Sequence, residues 1–134
     1  MAVEIVIRDD AGYVHVTART GVVNKKFLNE LIDTIERALP DIPQGFFQIL
    51  LEVTAPKAKI DLIESFEVWK RASEKVIQRT QIAYVVKGRA ISPVARIMEM
   101  VAQNRGIQLR FFKDSKAALE WLNPEGSFDA QETD

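Results

Sequence analysis

The chain holds one histidine, His15, and no cysteine. A zinc site built from His and Cys lacks its ligands, and disulfides and thiolate nucleophiles are excluded. A serine-histidine-acid triad would have to use His15, yet no G-x-S-x-G turn or comparable nucleophile setting accompanies it. Carboxylates stand in pairs at helical spacing, Asp61 with Glu64 and Glu64 with Glu67. Near a helix start such acids complement the macrodipole, which accounts for them without acid-base work. The six glycines form neither a Walker pattern nor a dinucleotide fingerprint. These residues predict no enzyme, no metal site and no cofactor. The basic residues are better placed for function: Lys25 and Lys26, Lys57 and Lys59, Lys87 and Arg89, and Lys113 and Lys116 all fall between apolar runs.

The elements that position those charges are best marked between Gln81 and Leu122. QIAYVV (81–86) is a β-branched run and KGRA (87–90) a loop, after which Ser92 supplies a capping oxygen and Pro93 a first helical residue. Val94, Ile97, Met98 and Val101 then recur at helical spacing until Gly106. IQLRFF (107–112) alternates as a strand, and Ser115 is the expected cap of KAALEWL. Two such βα units imply neighbouring parallel strands with helices packed on the sheet.

Upstream, Val3–Arg8 and Tyr13–Thr20 flank the turn cluster Asp9–Gly12 and should pair antiparallel. Asn24 is a plausible cap for a helix striped with Leu28, Leu31, Ile32, Ile35 and Leu39, which Pro40, Pro43 and Gly45 close. FFQILLEV (46–53) is a strand. From Asp61, the positions Leu62, Phe66, Trp69, Ser73 and Val76 predict a second amphipathic helix ending near Arg79. The resulting fold class is α/β, a single domain of order β-β-α-β-α-β-α-β-α. Its five-stranded mixed sheet is mostly parallel, with helices mainly on one face, a βα superhelix. The domain spans residues 1–123, and residues 124–134 read as an acidic mobile tail.

Alternation within the strands adds a second face. Tyr13, His15 and Thr17 oppose Val14, Val16 and Ala18; Gln48, Leu50 and Glu52 oppose Ile49, Leu51 and Val53; Gln108, Arg110 and Phe112 oppose Ile107, Leu109 and Phe111. A doubly covered parallel sheet would read as continuous apolar runs, so a partly open face follows. Its mixture of aromatic and polar groups suits a partner surface or a homodimer contact, and equally an ordinary solvated sheet face.

The element order, together with YVVKGRAISPVARIMEMVAQNRGIQLRFFKDSKAALEWL, resembles the STAS domain superfamily, specifically the small stand-alone bacterial branch that includes anti-sigma factor antagonists. The likeness runs from about Val3 to Leu122. It implies a non-enzymatic protein-interaction or regulatory module, and a STAS/CRAL-TRIO-like fold. Some members of the superfamily switch by phosphorylation of a serine in a segment resembling Ile-Asp-Ser-Ser-Gly. Here that segment reads Ile60-Asp61-Leu62-Ile63-Glu64, so Leu62 holds the phosphoacceptor position and the hydroxyl is missing. Ser65, deeper in the helix, is expected to be a surface or edge residue rather than a displaced acceptor.

A net charge of −1 gives no global field for nucleic acid. No apolar run approaches the ~20 residues of a membrane span, and the start MAVEIVIRDD lacks the layout of a signal peptide. A cytoplasmic protein without stable membrane insertion is expected, its protein partner unknown. Two further ligand readings stand beside that one. An anionic ligand, or a membrane surface, would meet the rim of loops at the strands' carboxyl ends through Lys57, Lys59, Lys87, Arg89, Ser92 and Arg96. A lipid or other small apolar ligand would use Phe66, Trp69, Met98, Met100 and Trp121 as a cavity wall.

Overall fold

The strands expected from alternation form one sheet in the order β1-β2-β4-β6-β7 in the computed structural model, which describes residues 4–8, 13–38, 47–74 and 80–124. These are β1 (Glu4–Arg8), β2 (Val14–Arg19), β4 (Phe47–Thr54), β6 (Thr80–Lys87) and β7 (Gln108–Phe112). β1 is antiparallel to β2, with Val6 opposite Thr17, and every other neighbour is parallel. Two elements are additional to the expected order: β3 (Val23–Asn24) and β5 (Ala58–Lys59) make a separate two-residue parallel ladder. The turn at Asp9–Gly12, the helix exit at Pro40–Gly45, residues 75–79 and the tail from Glu125 onward lie outside the described residues.

The helices are α1 (Lys25–Ala38), α2 (Leu62–Ala72), α3 (Pro93–Asn104) and α4 (Ser115–Leu122). Asn24 Oδ1 accepts from the Phe27 N–H and starts α1 as expected. Asp61 caps α2 in a reciprocal capping box with Glu64. Ser92 caps α3 with Pro93 in its first turn, and Gly106 leaves the helix at φ 87°. The cap of α4 is Asp114, which accepts from the Ala117 N–H at 2.8 Å; Ser115, expected in that role, is instead the first helical residue.

Alternation along the strands sorts the core into two layers. Val14, Val16, Ile49, Leu51, Ile82, Tyr84 and Leu109 face α1, α2 and α3. Tyr13, Leu50, Ala83 and Val85 face α4 through Ala118 and Leu122. Three helices thus lie on one face, and α4 covers part of the other.

The inward stripes of α2 and α3 differ from the expected ones. In α2 the buried residues are Ser65, Val68, Trp69 and Ala72, whereas Leu62 and Phe66 are exposed. In α3 they are Ala95, Met98 and Ala102, and Ile97 is exposed. Trp69 and Met98 are turned inward as expected, beside the small residues Ser65, Ala72, Ala95 and Ala102, while Leu62, Phe66 and Ile97 are turned outward. Ser65 is therefore a buried residue rather than a surface one, its hydroxyl donating to the Asp61 carbonyl at 2.8 Å.

Candidate functional site

Two places on the molecule gather groups that ordinary packing leaves notable: a polar cluster on the second sheet face and an apolar surface on the helical face.

Parity along β2 and β4 brings His15 and Glu52 onto the same face, and the turn after β7 brings in the start of α4. His15 Nε2 lies 2.7 Å from Glu52 Oε1. The Ser115 hydroxyl donates to Glu52 Oε2, and Lys87 Nζ lies 3.3 Å from the same oxygen. The Glu52 side chain is only 12% exposed. The hydrogen bond from His15 is the main cause that holds its carboxyl down at about 2 from an ordinary 4.5, with the Ser115 hydrogen bond and the Lys87 charge assisting and burial opposing. An ionised carboxylate accepts only, so His15 Nε2 carries the shared proton. Chemically this is a satisfied carboxylate that pins α4 to the sheet, with its lone pairs committed to three donors. Gln48 does similar work at the other end of α4, donating to the Leu122 carbonyl. Among the described residues, no group of three His, Asp or Glu side chains is arranged to hold a metal ion.

The basic rim is knitted by backbone bonds. The Thr20 N–H donates to the Thr54 carbonyl at 3.1 Å, and Ala55 N–H to the Lys87 carbonyl at 3.1 Å, so the loops after β2, β4 and β6 lie side by side. Gly88 sits at φ +89°, where a Cβ would come within 3.0 Å of the Ala55 oxygen, and this close approach requires glycine. Within this rim Lys57 and Lys59 are exposed. Lys87 is paired with Glu52. Arg89 is half-buried, with its Nε lacking a hydrogen-bond partner among the described residues. Its charge partly offsets the burial that pushes the Tyr84 phenol up. Ser92 is occupied as the α3 cap. Arg96 Nη1 contacts Glu99 Oε2 at 2.7 Å and the Phe111 carbonyl at 3.5 Å, which places it along β7 as an edge group. The six residues therefore do not converge: two are neutralised, one caps a helix, and Lys57, Lys59 and Arg89 remain on the adjoining loops.

The five residues considered as a cavity wall are likewise parted. Trp69 and Met98 are buried in the helical layer, Phe66 and Met100 point outward, and Trp121 stacks near Phe112 on the opposite face at 5.7 Å.

The helical face carries the larger unpartnered feature. Leu62, Ile63 and Phe66 on α2, and Ile97 and Met100 on α3, are all exposed, Ile63 at 70% and Met100 at 60%. The Arg105 guanidinium at the end of α3 lies 5.0 Å from the Phe66 ring centroid, which joins the two helices' outer rows. Leu62, in the position where the resemblance places a phosphoacceptor, belongs to this surface. The sequence signal that could have found it was the excess of apolar residues in LIESFEVW over what one buried stripe accommodates.

No family model matches the chain, and no curated protein matches it. Among solved structures, it is similar to an uncharacterized protein of the DUF3478 family from Shewanella loihica PV-4, whose crystal structure has a SpoIIAA-like fold. The two are 15% identical, with 90% of this chain and 93% of that chain covered and a TM-score of 0.55. The likeness shows the fold: this chain has a SpoIIAA-like α/β fold. Among the described residues, no helix is long and apolar enough to cross a membrane.

Proposed function

We propose that the protein is a non-enzymatic regulatory module that binds a protein partner through the surface of α2 and α3, and that it does so without a serine switch at the start of α2. The observation that carries the reading is the row of exposed large apolar residues, Leu62, Ile63, Phe66, Ile97 and Met100, on two helices whose inward faces are already filled by other residues, Trp69 and Met98 among them. Apolar patches of this kind on an otherwise charged surface are characteristic of binding sites. Among the described residues Lys59 and Lys70 beside the patch have no ion pair, and Arg105 presents its charge at the Phe66 ring. A partner with two or three protruding apolar side chains and acidic neighbours fits this chemistry.

Leu62 offers no phosphoryl acceptor, and the nearby Ser65 hydroxyl is buried and bonded to the Asp61 carbonyl. Regulation by serine phosphorylation there would require opening the helix.

A photo-crosslinking residue at Ile63, with the same residue at Thr17 as a control on the sheet face, tests the reading in cells that natively make the protein. A discrete protein adduct at position 63, absent at 17 and lost on adding Met100→Asp, is the expected result. Equal labelling at both positions, or adducts indifferent to Met100→Asp, would refute it.

A further inference from the structure

The sheet has two edges, and they are finished differently. At β7 the backbone of Phe111 is sealed by side chains of α3. Its N–H donates to Glu99 Oε2 at 2.7 Å, and its carbonyl meets Arg96 Nη1 at 3.5 Å. This pair occupies the donor and acceptor that an incoming strand would need. At β1 the described backbone bonds are those of the pairing with β2. On α1, Lys25 bonds to Glu67 of α2, Asn29 and Asp33 bond to Arg71 of α2, and Arg37 bonds to Thr34. The outer edge of β1 has no hydrogen bond among the described residues. Val6, in the middle of the strand, is 55% exposed on the sheet face that α4 leaves open.

The sequence of that strand is its own complement. Glu4-Ile5-Val6-Ile7-Arg8, laid antiparallel against a second copy with Val6 opposite Val6, sets Glu4 against Arg8 twice and Ile5 against Ile7 twice. The parity of the sheet is preserved in this register. Glu4 and Val6 stay on the open face, and Ile5 and Ile7 stay on the face where they pack against the helical core. Among antiparallel self-registers only this one pairs all five residues. Opposite charges and β-branched pairs directly across an antiparallel ladder are mutually stabilising.

We infer that the outer edge of β1 pairs with the same edge of a second copy of this chain, joining two sheets into one through a two-fold axis at Val6. The contact is isologous, so it closes at a dimer, and on the far edge of each five-stranded sheet the Phe111 N–H and carbonyl are already engaged by α3. One short strand buries less than the roughly 1,000 Å² that a stable interface clears, so the dimer is weak and concentration-dependent. It leaves α2 and α3 uncovered, and two copies would present two such surfaces.

The chain has no cysteine, so Val6→Cys introduces a single thiol. Directly opposed residues of an antiparallel pair have Cα atoms about 4.5–5.5 Å apart, within the range that a disulfide spans. Mild oxidation of Val6→Cys should give a crosslinked dimer, while Thr17→Cys, one strand inward, should stay monomeric. Independently, sedimentation equilibrium should show dimerisation of the wild type that Glu4→Arg weakens about tenfold and that Glu4→Arg combined with Arg8→Glu restores. A wild type that remains monomeric to about 1 mM, a thousandfold above a micromolar Kd, would overturn the inference. So would a dimer indifferent to Glu4→Arg, crosslinking of Thr17→Cys equal to that of Val6→Cys, or capture of an extended peptide at β1 by an otherwise monomeric protein.

Discussion

Glu52 is the residue whose charge the fold has arranged most carefully, and replacing it by glutamine tests how that arrangement stabilises the protein. Its carboxyl is held at about 2 against an ordinary 4.5, chiefly by the His15 hydrogen bond. At about 1.4 kcal/mol per pK unit, that difference corresponds to at most about 3.5 kcal/mol in favour of the folded state at neutral pH. Water reaches part of the side chain, and glutamine can still accept one of the hydrogen bonds, so about 2 kcal/mol is expected for Glu52→Gln. For a domain of this length that is roughly 6–10 °C in Tm. The sign follows from linkage. The depressed folded value makes the contribution fully present above 4.5 and lost as pH falls toward 2, because the unfolded chain then binds a proton that the folded chain does not. Urea denaturation of wild type and variant at about pH 7, 5, 4 and 2.5 should therefore show a gap near neutrality that closes in acid. A gap that stays constant across this range would mean that shape, not charge, makes Glu52 matter. No difference at neutral pH would mean that the cluster contributes nothing to holding α4.

Other consequences are as direct. Ser65→Glu, which places a charge where the hydroxyl is buried, should destabilise by more than about 3 kcal/mol in a chemical melt. Leu62→Ser should stay within about 0.5 kcal/mol of wild type, because Leu62 is half-exposed and Asp61 already caps α2, while weakening any adduct formed from position 63. Glu99→Ala should speed hydrogen exchange at the Phe111 amide relative to that of Leu109, with little loss of global stability. Gly88→Ala should cost about 1–3 kcal/mol by thermal unfolding, since it combines a positive φ with a Cβ 3.0 Å from the Ala55 oxygen.

Alternation made the sheet legible from sequence. A period of two is local, and Ile49, Leu51 and Val53 could only face one way once Gln48, Leu50 and Glu52 faced the other. The ladder of β3 and β5 was invisible because two residues carry no period. The stripes of α2 and α3 were misjudged for a different reason. Hydrophobicity ranks Leu62, Phe66 and Ile97 above Ser65, Ala72 and Ala95, but it is the latter that share the buried face with Trp69 and Met98, because how each helix is turned against its neighbours, and not hydrophobicity alone, decides which positions are covered. The cap of α4 turned on a distant contact: Asp114 and Ser115 are equivalent candidates locally, and the choice was made by Glu52, 63 residues from Ser115. Arg96 looked like part of a basic loop edge because Glu99 and the Phe111 peptide become its neighbours only after β7 docks beside α3.

The same long-range contacts redistribute the surfaces. The polar residues on the second face suggested an open partner surface, but Gln48 holds the end of α4 and Glu52 holds its beginning, with His15 and Lys87 completing the charge balance. That polarity seats an eight-residue helix whose buried contribution is small, mainly Ala118 and Leu122, and which would otherwise be weakly attached. On the helical face the economy runs the other way. The inward faces of α2 and α3 are already filled, and the large apolar groups on their outer sides have no counterpart among the described residues. Burying them against a partner would relieve the cost of exposing them to water. The internal demands of the fold thus account for the polar face, and they leave the apolar one in need of an external explanation.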